Sequence, residues 1–201
     1  MPYKLVPSLT LKWCVDWDYE DVVEQNFIGP LRYLDHLTPE LLSRAPKQLR
    51  CTPVGKEWPD MIFNSFQWVV RPAVKAAIEE LEPSVHTFIP VELVSKKHRL
   101  PEPFYFLRIG QAVDAVVVAK SDFSQGFGQS AFDKGDVLTL RGKIVLRASQ
   151  IIGKHLWRGG WAWPDGRADR FVFDYFCSDR LRDRIKAEGF RDCEFTVCEV
   201  E

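Results

Sequence analysis

The segment KHLWRGGWAWPDGRADR gathers His155, Arg158, Asp165, Arg167, Asp169 and Arg170 in one stretch of chain. An imidazole beside carboxylates and guanidinium groups is the material of an acid–base or phosphodiester-cleaving centre. The same residues also read as punctuation between two strands. Pro164-Asp165-Gly166 is a turn signature, the Asp and Arg residues around it suit solvated strand ends, and the tryptophans suit sheet packing. Cys177 is a second candidate, with Asp174 and Asp179 near it in sequence and His155 as a base. Its place on the apolar stripe of a helix start points instead to a small buried hydrophobe.

Other chemistries lack their spacing. GFGQSAFDKG contains Gly-x-Gly without the strand-to-helix context that cradles a phosphate, which leaves a surface loop. His36, His86, His98 and His155 stand 50, 12 and 57 residues apart, so no two share a helical turn, and neither a metal nor another cofactor is expected. The basic run Lys96-Lys97-His98-Arg99 has no interleaved aromatic residues and reads as a solvated connection, so no nucleic-acid partner is expected. CVDWDYEDVVEQ is different. It carries Asp16, Asp18, Glu20, Asp21 and Glu24 with Trp17 and Tyr19 and no basic residue, the densest cluster of one sign in the chain. It reads either as a solvated acidic face beside an edge strand or as an interface for a basic protein, with the aromatic residues as anchors.

The elements that position these residues come from a chain of 201 residues, 46% hydrophobic and 27% charged, which is ordinary globular composition. The length suits a single domain over residues 1–201. Seven Trp and fourteen Phe supply enough apolar area to hold a core without metal or disulfide. A formal net charge of -1 steers the protein toward neither a polyanion nor an anionic membrane. Five cysteines, Cys14, Cys51, Cys177, Cys193 and Cys198, are odd in number and form no Cys-x-x-Cys pair, which fits reduced thiols in the cytoplasm. No signal-peptide pattern opens the sequence and no run of eighteen apolar residues occurs, so neither export by that route nor membrane spanning is expected.

Seven prolines within residues 1–60 forbid long helices there. Thr38-Pro39-Glu40 sets an N-cap, a first-turn proline and a first-turn acid, predicting a short helix with Leu41 and Leu42 toward the core until Pro46 stops it. MIFNSFQWVV reads as a buried strand leading to a second helix, and residues 103–119 as one or two strands. The glycines at Gly126, Gly128 and Gly135 mark the longest loop. VLTLRGKIVLRAS predicts a hairpin about Arg141-Gly142-Lys143, and WAWPDGRADRFVFDYF two aromatic strands about the Pro-Asp-Gly turn. The fold class that results is α+β, mainly antiparallel sheet with a few short helices.

The sequence also repeats its punctuation. Residues 68–93 lie over residues 175–200 without a gap: Pro72 opens one helix after Arg71, and Asp179 opens the other after the N-cap residue Ser178. Val70, Val74, Ile78 and Leu81 form one apolar stripe, and Cys177, Leu181 and Ile185 the other. Pro83 and Gly189 end the two helices. Phe88 and Phe195 then occupy the same place in a β-like run, and Glu92 and Glu199 coincide as well. The match reads either as two related strand–helix–strand units or as a coincidence of two amphipathic ones; equivalent helices would bury both Ile78 and Ile185.

The string NSFQWVVRPAVKAAIEELEPSVHTFIPVEL, the strand pair PFYFLRIGQAVDAVV, then IIGKHLWRGG and the terminal FCSDRLRDRIKAEGFRDCEFTVCEV together resemble a bacterial family of immunity proteins of the myxobacterial type. That family was first catalogued as a domain of unknown function. The features shared are Phe88-Ile89-Pro90-Val91, the strands from Tyr105 to Asp114, Trp157-Arg158 and the closing helix–strand unit over residues 176–200. The resemblance covers residues 61–201, leaving 1–60 as a proline-rich strand and loop portion. The loop at 119–136 is longer and richer in Gly, Ser and Gln than the family pattern. What the resemblance implies is a cytoplasmic immunity protein of a polymorphic-toxin system, which binds a cognate toxin domain and silences it without catalysis. On the residues alone, a small hydrolase or nuclease using the 155–170 segment and a small-ligand binding module remain alternatives.

Overall fold

The computed structural model describes residues 1–7, 13–16, 37–43, 45–53, 58–64, 67–94, 102–124, 139–159 and 174–201. In chain order these form β1 (Tyr3–Pro7), β2 (Trp13–Asp16), α1 (Pro39–Ser43), β3 (Gln48–Pro53), β4 (Met61–Asn64), β5 (Gln67–Val70), α2 (Pro72–Leu81), β6 (Thr87–Val94) and β7 (Phe104–Arg108). There follow β8 (Ala112–Val113), β9 (Phe123–Ser124), β10 (Thr139–Leu140), β11 (Val145–Leu146), α3 (Ala148–Ile151) and β12 (Leu156–Gly159). Last come β13 (Tyr175–Cys177), α4 (Asp179–Ala187), β14 (Cys193–Val197) and β15 (Glu199–Val200). The class is α+β with antiparallel pairing dominant, as the sequence predicts. The chain divides into two compact units: a middle unit of Pro7–Gly110 with Gly189–Cys193, and a terminal unit of Met1–Val6, Gln111–Glu188 and Glu194–Glu201.

The middle unit holds a sheet in the order β2-β3-β6-β7-β5-β4. MIFNSFQWVV forms two antiparallel strands rather than one, with Met61 opposite Val70 and Asn64 opposite Gln67. β7 is antiparallel to both β5 and β6, so those two run parallel and need a crossover, which α2 supplies. Arg71 is extended and Pro72 takes the first helical position, where its missing N–H costs nothing. Val74, Ala77 and Ile78 are buried. In β6, Ile89, Val91 and Leu93 turn inward to a core with Leu49, Val69 and Phe106, while Pro90 is exposed. The short helix α1 is capped as expected, Thr38 Oγ1 accepting the Leu41 N–H at 3.2 Å. Leu41 is buried but Leu42 is exposed, because adjacent positions on a five-residue helix cannot share its inward face. Beyond β7, Gly110 passes so near the turn before β6 that an added Cβ would lie 2.0 Å from the Val85 carbonyl oxygen. Its N–H donates to His86 Nδ1 at 3.2 Å, and the buried His86 Nε2 lies 2.7 Å from Glu82.

The terminal unit holds a sheet in the order β14-β1-β13-β12-β8. β13 lies antiparallel to β1 and β12, with Phe176 opposite Lys4 and Trp157. The rings of Trp157 and Phe176 stack 5.9 Å apart within a cluster that includes Leu140, Leu146 and Cys198. The hairpin expected about Gly142 is replaced by two other pairings. β10 is antiparallel to β9, and β11 is parallel to β15 near the end of the chain. A turn does form at Gly142, whose φ is +70°, but the Asp122 backbone bonds both sides of it, accepting from Arg141 at 2.9 Å and donating to Lys143 at 2.8 Å. α4 begins at Ser178, whose hydroxyl accepts the Leu181 N–H at 3.3 Å, and buries Leu181 and Ile185. Gly189 at φ +70° follows its end.

Set side by side, the two units repeat one arrangement. In each, a hairpin (β4-β5 or β12-β13) leads through a helix to an outgoing strand (β6 or β14), and a further strand lies between them (β7 or β1). The backbone N–H before each helix donates to the residue before each hairpin, Arg71 to Asp60 and Ser178 to His155, both at 3.0 Å. The outgoing chain receives a parallel strand at the same register, Gln48 opposite Glu92 and Val145 opposite Glu199. The bond that starts that ladder also recurs, Glu92 N–H to Lys47 at 2.9 Å and Glu199 N–H to Ile144 at 2.8 Å.

Candidate interaction surface

Asp16 ends β2 opposite Arg50. Trp17, Asp18, Tyr19, Glu20, Asp21 and Glu24 lie outside the described residues, as do Asp165, Arg167, Asp169 and Arg170. His155 is placed beside the N-terminus of α4, its Nδ1 2.8 Å from Ser178 Oγ. Because that hydroxyl already accepts the Leu181 N–H, its one proton is available to the imidazole, and the pair fastens the start of α4 to the hairpin. Cys177 sits at the end of β13, between Tyr3 and Leu156, rather than on the helix. It is wholly buried, so a substrate has no route to its sulfur. Among the described residues no group of three His, Cys, Asp or Glu side chains is gathered as a metal site would require.

A cavity of about 250 Å³ opens beside this hairpin, lined by Pro2, Lys154, His155, Trp157, Ser178 and Asp179 among others. Its charged groups are engaged: Lys154 Nζ donates to Gln111 at 3.1 Å, and Asp179 meets the Met1 ammonium at 3.2 Å, which holds its carboxyl below the usual range. Deeper in the terminal unit, Lys4 Nζ lies 2.6 Å from Asp174, and Asp174 accepts the Leu140 N–H at 2.7 Å. Burial pushes the Asp174 carboxyl upward against the pull of Lys4. Burial likewise pushes the neighbouring Cys198 thiol up to about 12, so it stays protonated and is no nucleophile at neutral pH.

What reaches the surface instead is a pair of matched cation–aromatic clusters. In the middle unit Lys75 Nζ stands 5.4 Å over the rings of Phe88 and Tyr105, which meet edge to face at 6.4 Å. In the terminal unit Arg182 stands 4.1 Å over Tyr3 and Lys186 5.8 Å over Phe195, and Tyr3 and Phe195 also meet edge to face at 6.4 Å. Arg182 additionally donates to the Tyr3 hydroxyl. Each cluster pins a helix to the two strands beneath it; Phe88, Tyr105 and Phe195 are half-buried beside the positive charge, while Tyr3 is buried. The sequence carried a signal for them: under the ungapped alignment of the two segments, Lys75 falls on Arg182 and Phe88 on Phe195. Tyr3 and Tyr105 lie outside the aligned segments and gave none.

Residues 23–200 match the immunity protein family Imm11. No curated protein matches the chain. No helix among the described residues is long and apolar enough to cross a membrane.

Proposed function

The chain belongs to the Imm11 immunity protein family, and from that premise we propose that it protects its cell by binding a cognate toxin domain in the cytoplasm as a stoichiometric inhibitor, without turnover. The observation that carries the reading is the family match over residues 23–200. The chemistry of the described residues agrees with it: His155 and Ser178 are engaged in capping a helix, and the thiols of Cys177 and Cys198 are buried. His155→Ala together with Asp165→Ala should therefore leave protection of a toxin-expressing cell intact. The cost is the His155–Ser178 hydrogen bond, about 0.5–1.5 kcal/mol. Hydrolytic activity of the purified protein that disappears in this double variant would falsify the reading and favour a hydrolase or nuclease.

The toxin contact proposed here is the acidic, aromatic stretch Asp16, Trp17, Asp18, Tyr19, Glu20, Asp21 and Glu24. Carboxylates of one sign speed association with a basic catalytic cleft, and Trp and Tyr slow dissociation once desolvated. Asp18→Lys with Asp21→Lys should lower the association rate most strongly at low salt, by roughly tenfold or more. Trp17→Ala should instead raise the dissociation rate. Stopped-flow binding at two ionic strengths distinguishes them, and an association rate unchanged by the double Lys substitution removes this stretch from the interface.

A further inference from the structure

We infer that the outer edge of β14 is a strand-addition site, through which the protein takes up an extended segment of its toxin partner. This rests on the toxin-binding reading and names a contact for it. The Cys198 N–H donates to Pro2 at 3.0 Å, on the β1 side, whereas the Glu199 N–H donates to Ile144 at 2.8 Å, on the other. Successive residues of a strand turn their peptide groups to alternate sides. Phe195 and Val197 therefore direct N–H and C=O away from β1, in line with Glu199. Among the described residues no strand lies along that stretch: β14 ends the sheet order, and the Lys143 carbonyl, just ahead of β11, is turned to Asp122. Along this stretch Thr196 is exposed, Val197 is 52% exposed and Phe195 is half-buried.

The repeat shows why this edge differs from its counterpart. Under the ungapped alignment Val197 corresponds to Pro90, which has no N–H and so blunts the same stretch of β6. Just beyond it both outgoing strands accept a parallel strand at one register. The terminal unit thus keeps the strand-accepting geometry and lacks the guard. A chain continuing that ladder runs parallel to β14, whereas two copies of β14 about a two-fold axis pair antiparallel, which favours a foreign strand over a second copy. Its chemistry follows from the two faces of β14. Phe195 lies on the α4 side beneath Lys186, and Val197 shares that side, so alternate residues of the incoming strand are apolar. Glu194 and Thr196 occupy the other side, where the exposed Thr196 hydroxyl calls for polar residues between them.

The test is Val197→Pro, which gives β14 the residue that the corresponding position of β6 already tolerates. The probe is the toxin domain that co-purifies with the wild-type chain from its host, catalytically inactivated. The expected result is a loss of toxin affinity of about tenfold to a hundredfold with an unchanged melting temperature. Wild-type affinity in this variant overturns the proposal. Should the variant fold poorly, hydrogen exchange on the wild-type complex decides: slowed exchange at the Phe195 and Val197 amides supports strand addition, and unchanged exchange refutes it. A wild-type dimer that Val197→Pro converts to monomer, with toxin affinity retained, assigns the edge to self-association and also refutes it. No complex between the wild-type chain and the toxin removes the toxin-binding reading itself, and this proposal with it.

Discussion

Lys4→Met should destabilise the protein by about 3–5 kcal/mol, the cost of leaving a buried charge without its partner. The side chains of Lys4 and Asp174 are only 11% and 6% exposed, and Lys4 Nζ is shared between Asp174 at 2.6 Å and the Leu140 carbonyl at 2.5 Å. Removing the ammonium leaves a buried carboxylate near Cys198, with the Leu140 N–H still donating to it. The pH dependence follows from the direction in which Asp174 is shifted. Its folded-state pKa lies above the unfolded value, because desolvation outweighs the pull of Lys4. The stability this group contributes is thus present below the unfolded value and lost as pH rises through the folded one. Without Lys4 the folded value rises further, so the deficit of Lys4→Met should shrink as the pH is lowered and Asp174 takes up its proton. Lys4→Met with Asp174→Asn should recover most of the loss at neutral pH, since the amide oxygen still accepts from Leu140 and no charge is buried. Urea unfolding of the three proteins at two pH values checks this. A double variant no more stable than Lys4→Met would show that the cost arises from packing rather than from the unpaired carboxylate.

This ion pair joins Lys4 of β1 to Asp174 just before β13, far apart in the sequence, and nothing local in either segment announces it. The same limit explains which parts of the fold the sequence disclosed. Features set by a few adjacent residues were legible: Thr38 capping α1, Ser178 capping α4, Pro72 opening α2, and the matched burial of Ile78 and Ile185. Features set by distant partners were not. VLTLRGKIVLRAS has the alternation of a hairpin, but the edge that receives Val145–Leu146 is provided by Glu199–Val200, and Thr139–Leu140 pairs with Phe123–Ser124. The repeat shows the principle most clearly. Helix and outgoing strand share one sequence offset and are visible as an alignment. The strand between hairpin and outgoing strand comes from after the helix in one unit, as β7, and from the N-terminus in the other, as β1. No single offset reveals both, so the Tyr that completes each aromatic pair escaped the alignment. The edge at β14 was hidden likewise, since a strand becomes an edge only through the pairings its neighbours make elsewhere.

If the two units are copies of one arrangement, equivalent core positions should carry comparable energetic weight, and Ile78→Ala and Ile185→Ala should each cost about 2–5 kcal/mol. Ile78 is 2% exposed and Ile185 1%, on helices of ten and nine residues that each bury one narrow stripe. A short helix contributes little stability from its own backbone, so it stays folded mainly through that stripe. The cavity left by either truncation lies between helix and sheet, where the strands cannot collapse toward the helix because their ladders fix them on both sides: β7 is held between β5 and β6, and β1 between β13 and β14. Little relaxation means a cost toward the upper end of the range. Ile→Val at either position removes one methylene and should cost about 0.5–1.5 kcal/mol, with both sites again alike. The cation–aromatic clusters predict where the variants diverge. Lys75 shares two rings and also pairs with Glu79 of its own helix at 2.6 Å, whereas Arg182 stands over Tyr3 and donates to its hydroxyl, so at this matched position α2 meets its strands through ring contacts and α4 through a hydrogen bond as well. Hydrogen exchange should accordingly accelerate more along α2 in Ile78→Ala than along α4 in Ile185→Ala, even where global unfolding reports similar losses. An Ile185→Ala variant as stable as the wild type, beside a strongly destabilised Ile78→Ala, would mean that the terminal helix does not carry its unit's core and that the likeness of the two units stops at topology.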